Sequence, residues 1–400
     1  MKYDFTTLAD RNGTGSVKWI EMMAANPNTP GDVVPFSVAD MEFKQAPELT
    51  AALLEFTKDL IIGYTIPTGA YFDAVRLWMK KRHSWNVEED WIICSEGVIP
   101  GFYNAIAACT RPGDAVIIMP PVYPPFFQAV EANKCRIEAN TLIVKNGRYE
   151  INFEDLAKKA KKPETRALLF CSPHNPVGRV WTKEELERVA EICLENELVL
   201  ISDEIHFDLV MPGFHHQIAA AMGEDIANNA ITLTAPSKTF NIAGLHGANV
   251  IIKNEGLRKR YLDALSTKNA HPGLNIFAYH ACETAYTRCE AWLDELLKIL
   301  DNNKKLAEAF MQNRIPAIKV FPLEGTYLQW WDCRALGMNN KELEHFMTHE
   351  AFLFLDEGYI FGECGGGFER INLACPAQIL EKALERLEMA LRKGGIHPGV

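Results

Sequence analysis

The middle of the chain alternates short apolar segments with amphipathic helical stretches, and this alternation constrains the fold more than any other feature of the sequence. The apolar segments are rich in Val, Ile and Leu, as strands are when a sheet is buried on both faces. Strands that alternate with helices favour an α/β domain with a mostly parallel sheet between two layers of helices. The segments are AVIIM (115–119), ALLFC (167–171), LVLIS (198–202), ITLTA (231–235) and ANVII (248–252).

One βαβ unit is especially clear between the second and third of these segments. TKEELERVAEICLEN opens with Thr182, and Glu185 follows three positions later, which predicts a capping box ahead of an amphipathic helix. In open α/β sheets, ligands bind beyond the carboxyl ends of the strands. We therefore expect the functional residues in the loops that follow the apolar segments.

The 400 residues exceed the size at which a single hydrophobic core keeps growing, so more than one domain is expected. After about residue 285 the sequence changes to long charged helices separated by strand-like segments, which is typical of a smaller α+β domain. The first 45 residues show no clear helical period. We predict an N-terminal segment (1–45) that packs with the small domain, a large domain (46–285) and a small C-terminal α+β domain (286–400).

Charge and cysteine content exclude several classes of function. The formal net charge of −11 argues against a nucleic-acid surface, because no basic stripe is present to neutralise phosphates. The ten cysteines include no Cys-x-x-Cys pair, so neither a metal site nor a disulfide framework is indicated. No segment approaches the roughly 18 apolar residues of a membrane helix, and the opening residues do not resemble a signal peptide. We expect a cytoplasmic protein that acts on a small molecule.

Lys238 follows the ITLTA segment directly, in SKTFNIAGLHG. A lysine at this place can point into a cleft at the strand ends. Burial and a neighbouring cation lower the pKa of a lysine, and the neutral amine can then attack an aldehyde. In isolation such a lysine is usually a solvated loop residue, so its interpretation depends on the neighbouring loops.

Three other residues suit the same kind of site. Asp203 follows LVLIS and could hold a protonated ring nitrogen, although a lone Asp there could equally cap a helix. Asn175 lies in the proline-stiffened loop SPHNPVGR, where its amide is held in one orientation. Arg370, in FERINLAC, offers the bidentate geometry that a carboxylate requires, with a surface salt bridge as the alternative.

Two further features point to a phosphorylated, flat ligand. Gly97 precedes an amphipathic helix, so the backbone N–H groups of Gly97, Val98 and Ile99 could hold a phosphate at the helix N-terminus. Tyr123, in PPVYPPF, could stack on a flat ring, although a core tyrosine is the commoner case. Neither signal is specific alone.

Taken together, these residues resemble the fold type I pyridoxal 5′-phosphate enzymes related to aspartate aminotransferase, over essentially the whole chain. The resemblance implies pyridoxal 5′-phosphate as cofactor, bound to Lys238 as a Schiff base in a symmetric homodimer. It implies catalytic roles for Lys238, Asp203 and Tyr123. It places the cofactor among Gly97, Val98, Ile99, Tyr123, Asn175, Asp203, His206, Ser237, Lys238 and Tyr64 of the neighbouring subunit, and the substrate at Arg370, Asn175 and Ala39.

Within that superfamily, VADMEF, GYTIPTGAY and SDEIHFDLVMPG resemble the cystathionine β-lyase and cystalysin-like branch of carbon–sulfur β-lyases. His206 stands where the aminotransferases have a tyrosine, and FNIAGLHG lacks their phosphate-binding arginine. The branch implies β-elimination from cystathionine, cysteine or cysteine conjugates. The residues alone leave two alternatives open, an aminotransferase and a regulatory protein that binds a transcription factor.

Overall fold

The computed structural model describes residues 2–268 and 273–395. Within these ranges the strands are β1 (Ile92–Ser95), β2 (Ala115–Ile118), β3 (Arg136–Ala139), β4 (Ile143–Lys145), β5 (Arg148–Glu150), β6 (Thr165–Cys171), β7 (Val199–Asp203), β8 (Ala230–Thr234), β9 (Ala248–Ile251), β10 (Lys319–Val320), β11 (Leu328–Asp332), β12 (Asp356–Glu357) and β13 (Phe368–Asn372). The helices are α1 (Val17–Ala25), α2 (Pro47–Phe56), α3 (Gly69–His83), α4 (Val98–Cys109), α5 (Pro125–Ala132), α6 (Phe153–Ala160), α7 (Lys183–Glu195), α8 (Glu224–Ala227), α9 (Pro236–Thr239), α10 (Glu255–Lys268), α11 (Ile276–Arg288), α12 (Glu290–Arg314), α13 (Asn340–His345) and α14 (Ala377–Lys393).

The central sheet has seven strands in the order β1-β9-β8-β7-β6-β2-β3. The five strands from β8 to β3 in this order run parallel, whereas β9 and β1 pair antiparallel at the other edge. The five predicted apolar segments correspond to β2, β6, β7, β8 and β9. Their side chains are almost all buried, because helices cover both faces of the sheet. The predicted α/β fold is confirmed.

The helix that follows β6 begins as the sequence predicts. The Thr182 side chain accepts a hydrogen bond from the Glu185 N–H at 3.2 Å, and the Glu185 carboxylate accepts one from the Thr182 N–H at 2.8 Å. This reciprocal pair is the capping box, and it satisfies two N–H groups that the first turn of α7 leaves unpaired. No helix in the described part of the chain has the length and apolar composition that crossing a membrane requires.

The smaller sheet lies in the C-terminal part of the chain, with the order β10-β11-β13-β12 and antiparallel pairing throughout. The long helices α12 and α14 pack against each other beside it. This arrangement is the α+β unit that the sequence predicts. The domain boundaries at residues 45 and 285 stay a prediction.

The N-terminal segment contains one helix, α1, although the sequence shows no clear helical period there. Only Lys18, Trp19 and Met22 of its nine residues are buried, which is too few to produce a readable apolar stripe. Beyond α1 the segment joins the C-terminal part by backbone hydrogen bonds. The N–H of Phe36 donates to the Phe354 carbonyl at 2.8 Å, and the N–H of Glu42 donates to the Ala374 carbonyl at 2.8 Å.

The turn between residues 358 and 365 depends on two glycines in close contact. A Cβ on Gly358 would lie 2.2 Å from the Gly365 carbonyl oxygen, and a Cβ on Gly365 would lie 2.0 Å from the Gly358 carbonyl oxygen. The turn is also joined to the loop that follows β2, because the Val122 N–H donates to the Phe361 carbonyl at 3.0 Å. The absence of side chains at both glycines therefore sets the position of Phe361.

We expect Gly358→Ala to lower the free energy of unfolding by about 1–3 kcal/mol, because the added methyl group overlaps backbone atoms that cannot rotate away. Gly31→Ala is the matched control, since a Cβ there meets no heavy atom within 4 Å. Chemical denaturation followed by tryptophan fluorescence measures both variants. Equal stability of the two variants would show that the turn adjusts freely.

Candidate active site

The carboxyl ends of three adjacent parallel strands bring the predicted loops together. Cys171, at the end of β6, pairs with Asp203 at the end of β7, and Asp203 pairs with Leu233 of β8. The loop after β6 carries Asn175, and β8 leads into α9, which carries Lys238. Lys238 thus lies in a one-turn helix that begins at Pro236, a residue well suited to the first helical position.

A cavity of about 340 Å³ opens at these strand ends. Eleven of the twelve predicted site residues line it, and Tyr64 does not. Tyr64 lies fully exposed on the segment between α2 and α3. The eleven are Ala39, Gly97, Val98, Ile99, Tyr123, Asn175, Asp203, His206, Ser237, Lys238 and Arg370.

The amine of Lys238 is held by a backbone carbonyl of the N-terminal segment. Lys238 Nζ donates to the Ala39 carbonyl at 2.6 Å, and the Tyr327 hydroxyl donates to the same oxygen at 2.8 Å. Burial lowers the pKa of Lys238 to about 8, with Asp40 opposing this shift and the Arg370 guanidinium adding to it. A substantial fraction of the amine is therefore neutral close to physiological pH.

A buried ion-pair network fixes the segment that presents this carbonyl. Lys18 is only 1% exposed, and its Nζ pairs with Asp40 at 2.9 Å and with Glu42 at 2.7 Å. Arg11 contacts the same two carboxylates at 2.8 Å each. Asn372 donates through Nδ2 to the carbonyls on both sides of Ala39, at 2.8 and 2.7 Å. The backbone at Ala39 is thus restrained by several independent contacts.

Asp203 and His206 present polar atoms with few partners inside the protein. The Asp203 carboxylate accepts a hydrogen bond from the Ile205 N–H at 3.1 Å, and burial raises the pKa of Asp203 to about 7. Burial lowers the pKa of His206 well below its usual value, and the cations of Lys238 and Arg370 act in the same direction. The buried Nδ1 atom of His206 has no hydrogen-bond partner among the described residues. Both groups are available to a ligand.

The guanidinium of Arg370 is buried, so the alternative of an exposed surface salt bridge is wrong. It donates to the Asn175 side-chain oxygen at 2.7 Å and to Asp356 at 2.5 Å. Its Cζ atom also lies 4.8 Å from the centre of the Phe361 ring. A buried cation with these partners is positioned to bind an anionic ligand group.

The N-terminus of α4 forms a second place for an anion. Gly97 precedes the helix with φ of 112°, a value that L-residues with a side chain rarely adopt. Among the described residues, the N–H groups of Val98 and Ile99 have no hydrogen-bond partner. Free N–H groups and the helix dipole both favour negative charge at this end.

Several residues at the site were missed by sequence reasoning. Asp356 lies in the two-residue strand β12, which is too short to show any periodicity, and only its pairing with Arg370 across β12 and β13 reveals its role. Tyr327 immediately precedes β11, and nothing in its neighbourhood indicates where its hydroxyl points. Ile360 and Phe361 belong to the glycine-dependent turn and line the cavity as well.

Comparisons with known proteins show to which family the chain belongs. The family model for aminotransferase class I and II matches residues 32–387. The cystathionine beta-lyase PatB of Bacillus subtilis (strain 168) is 40% identical over 388 residues, covering 97% of this chain and 100% of that protein. Cystalysin from Treponema denticola, solved with a pyridoxal 5′-phosphate cofactor, has a TM-score of 0.95 and 48% identity, covering 98% of this chain and 100% of that chain. A pyridoxal-phosphate-bound C–S lyase from Staphylococcus hominis has a TM-score of 0.89 and 30% identity, with 98% of both chains covered.

We expect Lys238, in protein stripped of bound small molecules, to react with an amine-modifying reagent with a midpoint near pH 8. Arg370→Met should move the midpoint upward because it removes a cation, and Asp40→Asn should move it downward because it removes an anion. Peptide mass spectrometry across a pH series measures the modification, with the exposed Lys134 as internal reference. A midpoint above pH 10 in the unmutated protein would contradict the electrostatics described.

Proposed function

Because the chain belongs to the class I and II aminotransferase family and is a pyridoxal 5′-phosphate enzyme of the carbon–sulfur lyase type, we propose that it eliminates thiols from the β-carbon of cysteine-derived amino acids. The products would be pyruvate, ammonia and a thiol. The supporting observation is the high identity to a cystathionine beta-lyase and to cystalysin over nearly the whole chain, combined with the residues of the cavity.

The cavity has the polar groups that pyridoxal phosphate requires. The cofactor has an aldehyde, an anionic phosphate, a ring nitrogen and a ring hydroxyl, and each needs a different partner. The cavity offers an amine of lowered pKa in Lys238, free N–H groups at α4, the Asp203 carboxylate and the unpartnered Nδ1 of His206. These groups are chemically matched to the cofactor.

We assign the cofactor to the residues that line the cavity. Lys238 would hold the aldehyde carbon, Asp203 the ring nitrogen, and Asn175 and His206 the ring hydroxyl. Tyr123 would lie against the ring. The phosphate would be held by Gly97, Val98, Ile99 and Ser237.

The substrate carboxylate is assigned to Arg370. Its guanidinium already donates to Asn175 and Asp356, so its orientation is fixed before a ligand arrives. Preorganisation of this kind reduces the entropy that binding would otherwise cost. Ala39 and Asn175 would complete the substrate site.

Proton transfer is assigned to Lys238. Bound pyridoxal phosphate supplies an electron-accepting ring that stabilises negative charge at the substrate α-carbon. The Nζ atom of Lys238 would accept the α-proton, and the Cβ–S bond would then break with the electron pair leaving on the thiolate sulfur. Asp203 would hold a proton at the ring nitrogen, and the Ala39 carbonyl would direct the lysine toward the cavity.

We expect purified protein to convert cystathionine into pyruvate, ammonia and homocysteine with no keto acid present. Lys238→Ala should abolish turnover, because the group that accepts the α-proton is removed. Coupled assays for pyruvate and a thiol reagent for homocysteine measure the products. An aminotransferase would instead require a keto-acid acceptor, and strict dependence on 2-oxoglutarate would overturn the lyase assignment.

We also propose that two copies of the chain form a homodimer in which Tyr64 reaches the phosphate of the neighbouring subunit. Tyr64 lies outside the cavity of its own chain, on a segment whose Ile61, Ile62 and Ile66 side chains are all largely exposed. A contiguous exposed apolar segment of this kind is typical of a protein–protein contact.

The ten cysteines are all free. Most of them are buried, and none forms a disulfide. This state suits a reducing compartment, and we propose the cytoplasm as the location.

Mixing Lys238→Ala with Tyr64→Ala protein tests the shared site. If Tyr64 acts across the interface, each heterodimer has one site with both lesions and one with none, so roughly a quarter of full activity should return after subunit exchange. Differently tagged chains confirm the exchange, and each parent protein is assayed alone. If mixing restores nothing, Tyr64 does not serve the partner's site.

A further inference from the structure

Asn241 joins the loop that carries Lys238 to the N-terminal segment. It lies three residues after Lys238, and its φ of 56° is a value that asparagine adopts more readily than most residues. Its side-chain Oδ1 accepts a hydrogen bond from the Met41 N–H at 2.9 Å, and its Nδ2 donates to the Met41 carbonyl at 3.1 Å. Both polar atoms of one amide therefore bind the backbone of one residue, two positions after Ala39.

Two asparagines hold this segment from different parts of the chain. Asn372, on β13, donates to the carbonyls on both sides of Ala39. The Ala39 carbonyl itself accepts from Lys238 at 2.6 Å. The Met41 carbonyl accepts from Asn241, on the same loop as the lysine. The segment is thus bound to the small sheet by one amide and to the lysine loop by the other.

The contacts that restrain Ala39 from α1 and β13 do not involve the lysine loop. Between residues 38–43 and the loop 236–242, the hydrogen bonds of the described structure all involve Lys238 or Asn241. Lys238 must change its contacts when it accepts a proton from a substrate, so its own hydrogen bond does not keep the segment in place. Asn241 provides the link that does not take part in the chemistry.

The lysine loop is itself anchored to helix α3 and to the loop after β7. The Thr239 hydroxyl donates to Asp208 at 2.8 Å, and the Trp78 indole N–H donates to the same carboxylate at 3.1 Å. The Asp208 side chain is fully buried, so water does not compete for these hydrogen bonds. Because the loop is held in this way, the Asn241 amide determines how closely the N-terminal segment approaches it.

We propose that Asn241 is a positioning residue that holds the Ala39 carbonyl against the Lys238 amine and so sets the rate at which Lys238 accepts the substrate α-proton. This role rests on the proposed function, which assigns proton transfer to Lys238. A displacement of about 1 Å in a reacting group can lower a rate by about two orders of magnitude. The Arg370 guanidinium is held by contacts outside this loop, so substrate binding should not depend on Asn241.

Two variants of Asn241 and one matched control isolate this contact. Asn241→Gly removes the amide and keeps the backbone conformation, since glycine adopts positive φ without strain. Asn146→Gly is the control, because Asn146 has a φ of 52° in the exposed turn between β4 and β5, away from the cavity. Asn241→Asp keeps the size of the side chain but places an oxygen against the Met41 carbonyl. It should be impaired in the same direction, and it decides the question if Asn241→Gly does not fold.

Hydrogen exchange of the full-length holoenzyme checks the contact without any measurement of activity. The Met41 N–H loses its acceptor in Asn241→Gly, so it should exchange with solvent deuterium at least about fivefold faster. Mass spectrometry of peptides that cover residues 37–43 measures the exchange, and Asn146→Gly should leave it unchanged. Unchanged exchange in Asn241→Gly would show that the amide does not hold the segment, and it would overturn the positioning role.

L-Alanine separates proton transfer from elimination, because it has an α-proton but no leaving group on its β-carbon. In deuterium oxide the holoenzyme should replace this proton with deuterium, which proton NMR measures. Asn241→Gly should lower the maximal exchange rate by about tenfold and change the half-saturating alanine concentration by less than about twofold. The kcat for cystathionine should fall in parallel at nearly constant KM. Rates are compared across a pH series, so that a shifted protonation midpoint is not mistaken for a lower maximal rate.

The outcomes distinguish the role of Asn241 from the proposed function. An unchanged maximal rate in Asn241→Gly, together with faster exchange at Met41, would overturn the positioning role, and so would an equal loss in Asn146→Gly. Exchange of the alanine α-proton without cleavage of cystathionine by the wild-type enzyme would overturn the proposed elimination and leave the role of Asn241 in place. If the wild-type enzyme does neither, both are overturned.

Discussion

One backbone carbonyl, that of Ala39, connects the three parts of the chain at the active site. It accepts hydrogen bonds from Lys238, which follows the large sheet, and from Tyr327, which precedes the main strand of the small sheet. Lys18 and Asn372 hold the backbone on either side of it. Because one acceptor is shared in this way, displacement of any of the three parts alters the surroundings of the Lys238 amine. The chemistry of the site thus depends on tertiary assembly and not on the loop that carries the lysine.

Close contacts between opposite charges offset the free-energy cost of burying the charged side chains around the site. Arg370 is bounded by Asp356, and Lys18 by Asp40 and Glu42. Buried ions with close opposite charges lose less free energy on leaving water than isolated ions do. The exceptions are Asp203, Glu357 and Glu369, whose pKa values are raised chiefly by burial, with neighbouring carboxylates adding to the shift. A cationic group beside any of these carboxyl groups would favour its charged form.

The sequence predicts the large sheet well because each strand is apolar throughout, and it predicts Asn175, Asp203 and Lys238 because these residues directly follow such strands. Parallel pairing then brings the three together without further information. Asp356 and Tyr327 could not be found in the same way, since their roles arise from contacts between distant segments. The same limit applies to α1, whose few buried residues give no readable period. Hydrophobic periodicity predicts which face of a helix or strand is buried, but it does not predict which residues pack against that face.

The contacts of the N-terminal segment also bear on the order in which the molecule can assemble during synthesis. Residues 36–42 find their partners at Phe354, Asn372 and Ala374, which are synthesised long after them. The large sheet has all its strands by Ile251, so it can form while this segment still lacks any of those partners. Closure of so long a loop is slow compared with local pairing. In a nascent chain the large sheet can therefore form before Ala39 has the partners that hold it beside Lys238, and these contacts are complete only after β13 has been synthesised.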